Sequence, residues 1–369
     1  MKRSRVMGSL LLAGAAALFL SSAAFARPAS ASAQPHKPTH AHRHFVLSKR
    51  YILGGTDNWD YLAVDAARHH VFISRASHVE VIDTGTGKRV ADMADMDGVH
   101  GIAFAEARKL GFITNGRANT IAAFDLDTLK VVATIDAGGQ NPDAIAYAPG
   151  LARMYISNGK SHSVSALDMD SRKIVATMDI GGKPEALAVG NEGKIFVAVE
   201  DKNEIVAMDG KSNTVLSHWP LAGCEEPSGM AIDVQAERLF AVCSNKRMVV
   251  VDAQSGRVIA TLPIGEGPDA AAFDPALKLV FSANGEDGTL TVVHEDSPNH
   301  YHVMQNARTQ KGARTMALDG ATHRIYLVAA EMTKAPAATG TGDGTGEKPS
   351  RQKPTVREGS FTLLVVEPK

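Results

Sequence analysis

The sequence predicts an all-β fold, a seven-bladed β-propeller of four-stranded antiparallel blades whose ring is closed by the N-terminal strand, and three observations predict it. The first is a period. Ala63, Ala103, Ala146, Ala188, Ala231, Ala272 and Ala317 each sit in a small apolar cluster, and each is followed nine residues later (eight in one copy) by an aromatic residue: Phe72, Phe112, Tyr155, Phe196, Phe240, Phe281 or Tyr326. A repeat of 40 to 45 residues with several short strands per copy marks propeller blades. The second observation is the internal grammar of each copy, four short apolar runs separated by Gly, Pro, Asn and Asp. The third is a strand-like segment at 45–53, FVLSKRYIL, which matches the fourth strand of other copies, while the seventh copy stops after its third.

Taken in chain order, the first 26 residues are expected to be a cleaved export signal. Lys2, Arg3 and Arg5 form a basic start, residues 7–20 are apolar, and Ala24-Phe25-Ala26 supplies a small-x-small cleavage site. The apolar run is shorter than the roughly 20 residues that span a bilayer, so no membrane-spanning segment is expected after cleavage. Residues 27–44, RPASASAQPHKPTHAHRH, lack apolar periodicity and are expected to be a disordered linker. Its histidines, His36, His40, His42 and His44, have nothing to fix them as a metal site.

The propeller is expected over 45–369. In the third copy Asn141-Pro142-Asp143 opens a strand at 144–147, a Pro149-Gly150 turn leads to 154–158, and 163–168 and 173–178 follow. No segment between strands is long enough, with a 3.6-residue apolar period, for crossover helices. Alanine suits an inner strand crowded around the axis, and the aromatic on the next strand fills the widening gap between blades. A third beat ends the third strand in Asp83, Asp125, Asp168, Asp209 and Asp252, with His294 and Glu367 in the last two copies. Within blade 7, residues 333–358 are a low-complexity insertion that cannot build a core and is expected to be a loop. Pairing of the N-terminal strand with this last blade removes the exposed edges of an open array, and a monomer is expected.

Composition limits the partners. Without Lys2, Arg3 and Arg5 the chain keeps 36 of its 39 Lys and Arg against 40 Asp and Glu, so its net charge is about −4. That balance gives no overall support for nucleic-acid or anionic-membrane binding. Cys224 and Cys243 are the two cysteines. They fall in one blade, just before its first strand and at the end of its second, and are a candidate disulfide in an oxidising compartment; two small apolar fillers are the other reading.

Function is expected at the channel mouth, where inter-blade loops converge. Three residues before each alanine stand Asp60, His100, Asp143, Glu185, Ser228, Asp269 and Arg314. The scaffold positions repeat, but this position varies, which suggests a ligand with its own shape and charge. A second tier at the end of the second strands contains Arg75, Asn115, Asn158, Val199, Cys243, Asn284 and Ala329, with Glu200 next to Val199. From the two tiers, Asp60, His100, Asp143, Glu185, Asp269, Arg314, Arg75, Asn115, Asn158 and Asn284 are the candidate ligand-binding residues. His100, Asp143 and Glu185 are a candidate divalent-metal set, because imidazole with carboxylates suits zinc, manganese or iron. Paired carboxylates can instead act as general acid and base. Arg75 and Arg314, on blades that become neighbours on closure, are candidates for gripping a carboxylate or phosphate opposite an acidic arc of Asp143 and Glu185. Asp143 and Asp269 follow prolines, and local turn bonds to backbone N–H groups are the favoured expectation for them.

Motifs for better-known chemistries are missing: there is no CxxCH for covalent haem, no HExxH, GxSxG or GxxxxGK, and no repeated tryptophan docking motif of quinoprotein (PQQ) propellers. Residues 92–98, DMADMDG, lack the first and last acidic ligands of a calcium loop and read as a polar turn.

The copies PDAIAYAPGLARMYISNGKSHSVSALDMDSRKIVATMDIGG, WDYLAVD, VHGIAFA, GGKPEALAV, GPDAAAFD and GARTMALD make residues 45–369 resemble the YncE-like proteins, exported propellers built from YVTN repeats. The resemblance implies a periplasmic seven-bladed protein in a family that mostly lacks an assigned reaction. Related propeller groups include lactonases and the propeller domains of denitrification enzymes, whose haem and copper motifs are absent here. The leading expectation is therefore an exported, non-catalytic scaffold that holds a small ligand, a metal or a periplasmic protein partner at the channel mouth. The alternative is a lactonase-like hydrolase or isomerase using Glu185, His100 and Arg314.

Overall fold

The structure is a computed structural model that describes residues 44–333 and 355–369. The leader expected over 1–26, nearly all of the linker with His36, His40 and His42, and most of the insertion expected over 333–358 lie outside the described residues. Seven four-stranded antiparallel sheets make the blades of a propeller. Blade 1 takes Trp59–Asp65, His70–Arg75, His78–Asp83 and Arg89–Met93 in spatial order, and blades 2 to 6 repeat that consecutive order. Blade 7 takes Met316–Asp319, Arg324–Ala329, Thr362–Pro368 and then Phe45–Ile52, which pairs antiparallel with the preceding strand. The N-terminal strand thus closes the ring. Phe45 fixes it further: its N–H donates to Gln305 of blade 6 at 2.9 Å, its carbonyl accepts from the same amide at 2.8 Å, and its ring meets Phe281 edge-on at 5.0 Å.

The period in the sequence is a register in space. Each alanine lies directly across the ladder from its aromatic, from Ala63 opposite Phe72 to Ala317 opposite Tyr326. All seven aromatics are at most 1% exposed. Each fills an inter-blade seam, and burying such a side chain contributes about 1.5–3 kcal/mol. Seven apolar clusters result among the described residues, one at each blade junction, and the junction of blades 7 and 1 packs Leu62, Val71 and Ile73 against Tyr326, Val328 and Phe361.

The third-beat aspartates cap turns. In blades 1, 3 and 5, Asp83, Asp168 and Asp252 accept from the backbone N–H and hydroxyl of Thr86, Ser171 and Ser255, and Asp125 does the same with Thr128. Cys224 and Cys243 are joined by a disulfide with their Cα atoms 5.4 Å apart, tying an inter-blade loop to a strand end. No helix among the described residues is long and apolar enough to cross a membrane.

Candidate functional site at the channel mouth

The ring residues reach the channel because the ladder slips beneath them. In blade 1, Trp59 pairs with Arg75 and Leu62 with Ile73, so Asp60 and Tyr61 together face Ser74. The same irregularity falls at His100, Asp143, Glu185, Ser228 and Asp269 in blades 2 to 6. Such a bulge frees a residue from strand alternation and re-aims its side chain. Its displaced carbonyl needs a new donor. Ser74 supplies one to the His100 carbonyl, and Thr114 supplies one to that of Asp143 at 2.6 Å, each reaching into the next blade. Blades approach so closely here that a Cβ on Gly101 would lie 2.5 Å from the Asp143 carbonyl oxygen, which explains glycine at that position.

Asp60, His100 and Asp143 converge. The His100 Nδ1 lies 2.5 Å from Asp60 Oδ2 and 3.8 Å from Asp143 Oδ1, and one donor atom from each residue falls within 4.8 Å of the other two. Gly116 makes room for the imidazole, since a Cβ there would lie 2.7 Å from His100 Cδ2. Burial opposes the charged imidazole, but the Asp60 hydrogen bond and the charges of Asp143, Asp60 and Glu185 outweigh it, and the pKa rises. Burial, with Asp60 nearby and His100 opposing, lifts Asp143 to about 6. Its Oδ1 is shielded from solvent and has no hydrogen-bond partner.

Two further acidic residues complete the arc. Burial and the neighbouring Asp143 charge push Glu185 up, against a 2.6 Å ion pair with Lys183. Lys183 also binds Glu200, and these two bonds outweigh burial and raise its pKa. Asp269, lifted to about 6 chiefly by burial, lies 3.4 Å from Arg314 Nε. Asp60, Tyr61, Asp143, Glu185, Asp269 and Arg314 line one cavity of about 210 Å³. Ser228 and Glu200 line an adjoining one of about 340 Å³ that shares Asp269 and Arg314.

Several expectations are corrected here. Glu200 apart, the second tier lies buried inside the blades. Arg75 is 1% exposed, ion-paired with Glu80 at 3.1 Å and stacked 3.6 Å over the Phe361 ring, so it is no partner for Arg314. Asn158 and Asn284 are fully buried and donate to Ser165 at 2.8 Å and Thr291 at 2.9 Å; Asn115 donates to Thr120 at 3.4 Å. They hold the turns of their own blades. Asp60, and not Glu185, completes the cluster with His100 and Asp143, while Glu185 is ion-paired with Lys183. Asp143 and Asp269 face His100 and Arg314 in place of the turn bonds expected of them.

Tyr61 escaped the sequence reading. The corresponding residues of the other blades are Gly101, Ala144, Ala186, Gly229, Ala270 and Thr315, so Tyr61 is the one large side chain in that tier. Burial, then the charges of Asp143, Asp60, Glu185 and Asp269, hold its phenol protonated well above the usual range. A single aromatic in a tier of small residues was the legible signal.

No protein-family model matches this sequence, and no curated protein does. Among solved structures the chain is similar to a chain of the hydrazine synthase of Kuenenia stuttgartiensis, with 13% identity over 74% of this chain and 92% of that one and a TM-score of 0.66. At that identity the likeness concerns the fold alone.

Proposed function

We propose that the protein is an exported binding propeller whose channel mouth holds a divalent metal ion through Asp60, His100 and Asp143 and presents it to a small ligand in the cavity beside it. The observation that carries this reading is the unpartnered, solvent-shielded Oδ1 of Asp143, facing an imidazole nitrogen that Asp60 already holds. A buried polar atom without a partner is costly, and a cation among these donors relieves it. Two carboxylates and one imidazole suit zinc, manganese or ferrous iron, and three protein ligands leave open positions for an exchangeable ligand. Arg314 lines the cavity and can orient a ligand oxygen, and Tyr61 keeps a proton to donate. The basic and apolar start of the chain, its small-x-small site and its YVTN-type repeats support export to the periplasm and kinship with the YncE-like proteins.

The test is a titration of Zn²⁺ and Mn²⁺ into wild type, His100→Ala and Asp143→Asn. We expect one ion fewer bound by each variant, with folded spectra retained. Equal stoichiometry in all three proteins would defeat the reading.

A further inference from the structure

Blade 6 departs from the repeat at its outer hairpin. Its third strand runs nine residues, Thr289–Ser297, past the position where five other blades end in a capping aspartate, and His300–Arg308 returns alongside. His294 occupies that capping position and stands directly opposite His302 across the ladder. The ladder then skips Asp296, between the pairs Glu295 with Tyr301 and Ser297 with His300. Two residues on from His294, Asp296 shares its face, while Glu295 between them is 4% exposed and turns inward to Lys278.

The carboxylate of Asp296 meets both imidazoles, with His294 Nδ1 at 2.9 Å from one oxygen and His302 Nδ1 at 2.7 Å from the other. One donor atom from each of the three residues lies within 4.8 Å of the other two, and the ring centroids are 5.5 Å apart. The hairpin is braced from behind. Arg238 of blade 5 donates to the Pro298 carbonyl at 2.8 Å and to Asn299 at 3.3 Å, and the Tyr301 hydroxyl donates to the same Pro298 carbonyl at 3.0 Å while its ring meets Phe240. Ligands held on paired strands with a packed support are preorganised for metal binding.

We propose that His294, Asp296 and His302 form a second metal site, on the outer face of blade 6, for a divalent transition metal of the zinc, nickel and copper class. Two imidazoles with one carboxylate are the donor set such ions favour, and directly opposed residues of an antiparallel pair have Cβ atoms only about 4.5–5.5 Å apart. Each histidine ligates through a ring nitrogen that carries no proton; where that nitrogen is Nδ1, the ring takes its Nε2–H tautomer and the ion replaces the hydrogen bond to Asp296. His302 and Asp296 are about half exposed, which leaves the remaining coordination positions open to water or to a donor from a partner. This site is independent of the channel mouth.

The experiment is calorimetric titration of Zn²⁺ into the full chain carrying His100→Ala, compared with the same protein also carrying His302→Ala or Asp296→Asn. We expect the His302→Ala protein to bind one ion fewer, or the affinity for that ion to fall about tenfold or more, since even outer-shell changes cost 10- to 100-fold. Cu²⁺ added to the His100→Ala parent should show nitrogen hyperfine structure from two imidazoles, reduced to one by His302→Ala. Unchanged stoichiometry and affinity in the double variants would overturn the proposal. Equal binding by wild type and His100→Ala would instead count against the channel site and leave this one standing.

Discussion

A guanidinium shut away from water must be held by something, and Arg75 is held by the carboxylate of Glu80 and the carbonyl of Asp57, each at 3.1 Å, and by the face of Phe361. Burial pulls its pKa down, though Glu80 counters that fall. Removing one member of such a pair strands the other charge, which costs about 3–5 kcal/mol. Glu80→Ala should therefore lower unfolding stability by that amount and leave metal binding at the channel mouth intact, as denaturant melts and a titration would check. A stable variant with altered binding would place Arg75 on the channel. From the sequence, Arg75 and the asparagines aligned with it looked equivalent to the ring residues, because both tiers sit at strand ends beside loops. What separates them is the bulge, which turns Asp60 toward the axis while Arg75, paired with Trp59 just before it, stays in the blade. A bulge leaves no composition signal, so the ring was legible and the depth of the second tier was not.

At the scale of the element, the recurring device is the aspartate that ends the third strand and caps the turn with a Ser or Thr three residues on. Asp83, Asp125 and Asp168 all have depressed pKa values, with hydrogen bonds from Thr86, Thr128 and Ser171 as the leading cause. A carboxyl whose folded pKa lies below its unfolded value of about 3.9 contributes its stability above that value and loses it as pH falls through the folded pKa. Asp168→Asn keeps an acceptor oxygen but has no charge to titrate. The stability gap between wild type and Asp168→Asn should thus be full near pH 6 and close as acid is added below about pH 4. A gap independent of pH, in paired urea melts, would show that the charge contributes nothing to the cap. The aspartates were visible in the sequence as a beat, and their partners Thr86, Thr128, Ser171 and Ser255 at a fixed offset were equally visible once the turn was known. The long hairpin of blade 6 was marked in advance by His294 at a capping position, but its partner His302 is defined only by strand register.

For the whole molecule, the regularity of the seams and the irregularity of the ring have different causes. Seven alanine–aromatic pairs build seven near-equivalent junctions, so blade number, strand order and closure by Phe45–Ile52 follow from a repeat that is directly readable. The ring position is spared that constraint because its side chains leave the ladder, and there Asp60, Asp143, Glu185 and Asp269 gather four carboxylates around one small cavity. Burial raises Asp143, Glu185 and Asp269 together. A fold whose junctions are so uniform tolerates that local cost, and a bound cation would offset it. The pairing of His100 with Asp60, and of Glu185 with Lys183, a residue outside the ring position, is visible only in the structure.

The account is tested most directly by anomalous diffraction from crystals of the protein grown with Zn²⁺. It predicts a peak at the channel mouth about 2.0–2.2 Å from carboxylate oxygens of Asp60 and Asp143 and from an imidazole nitrogen of His100. Saturating metal with no peak among these three residues would contradict it.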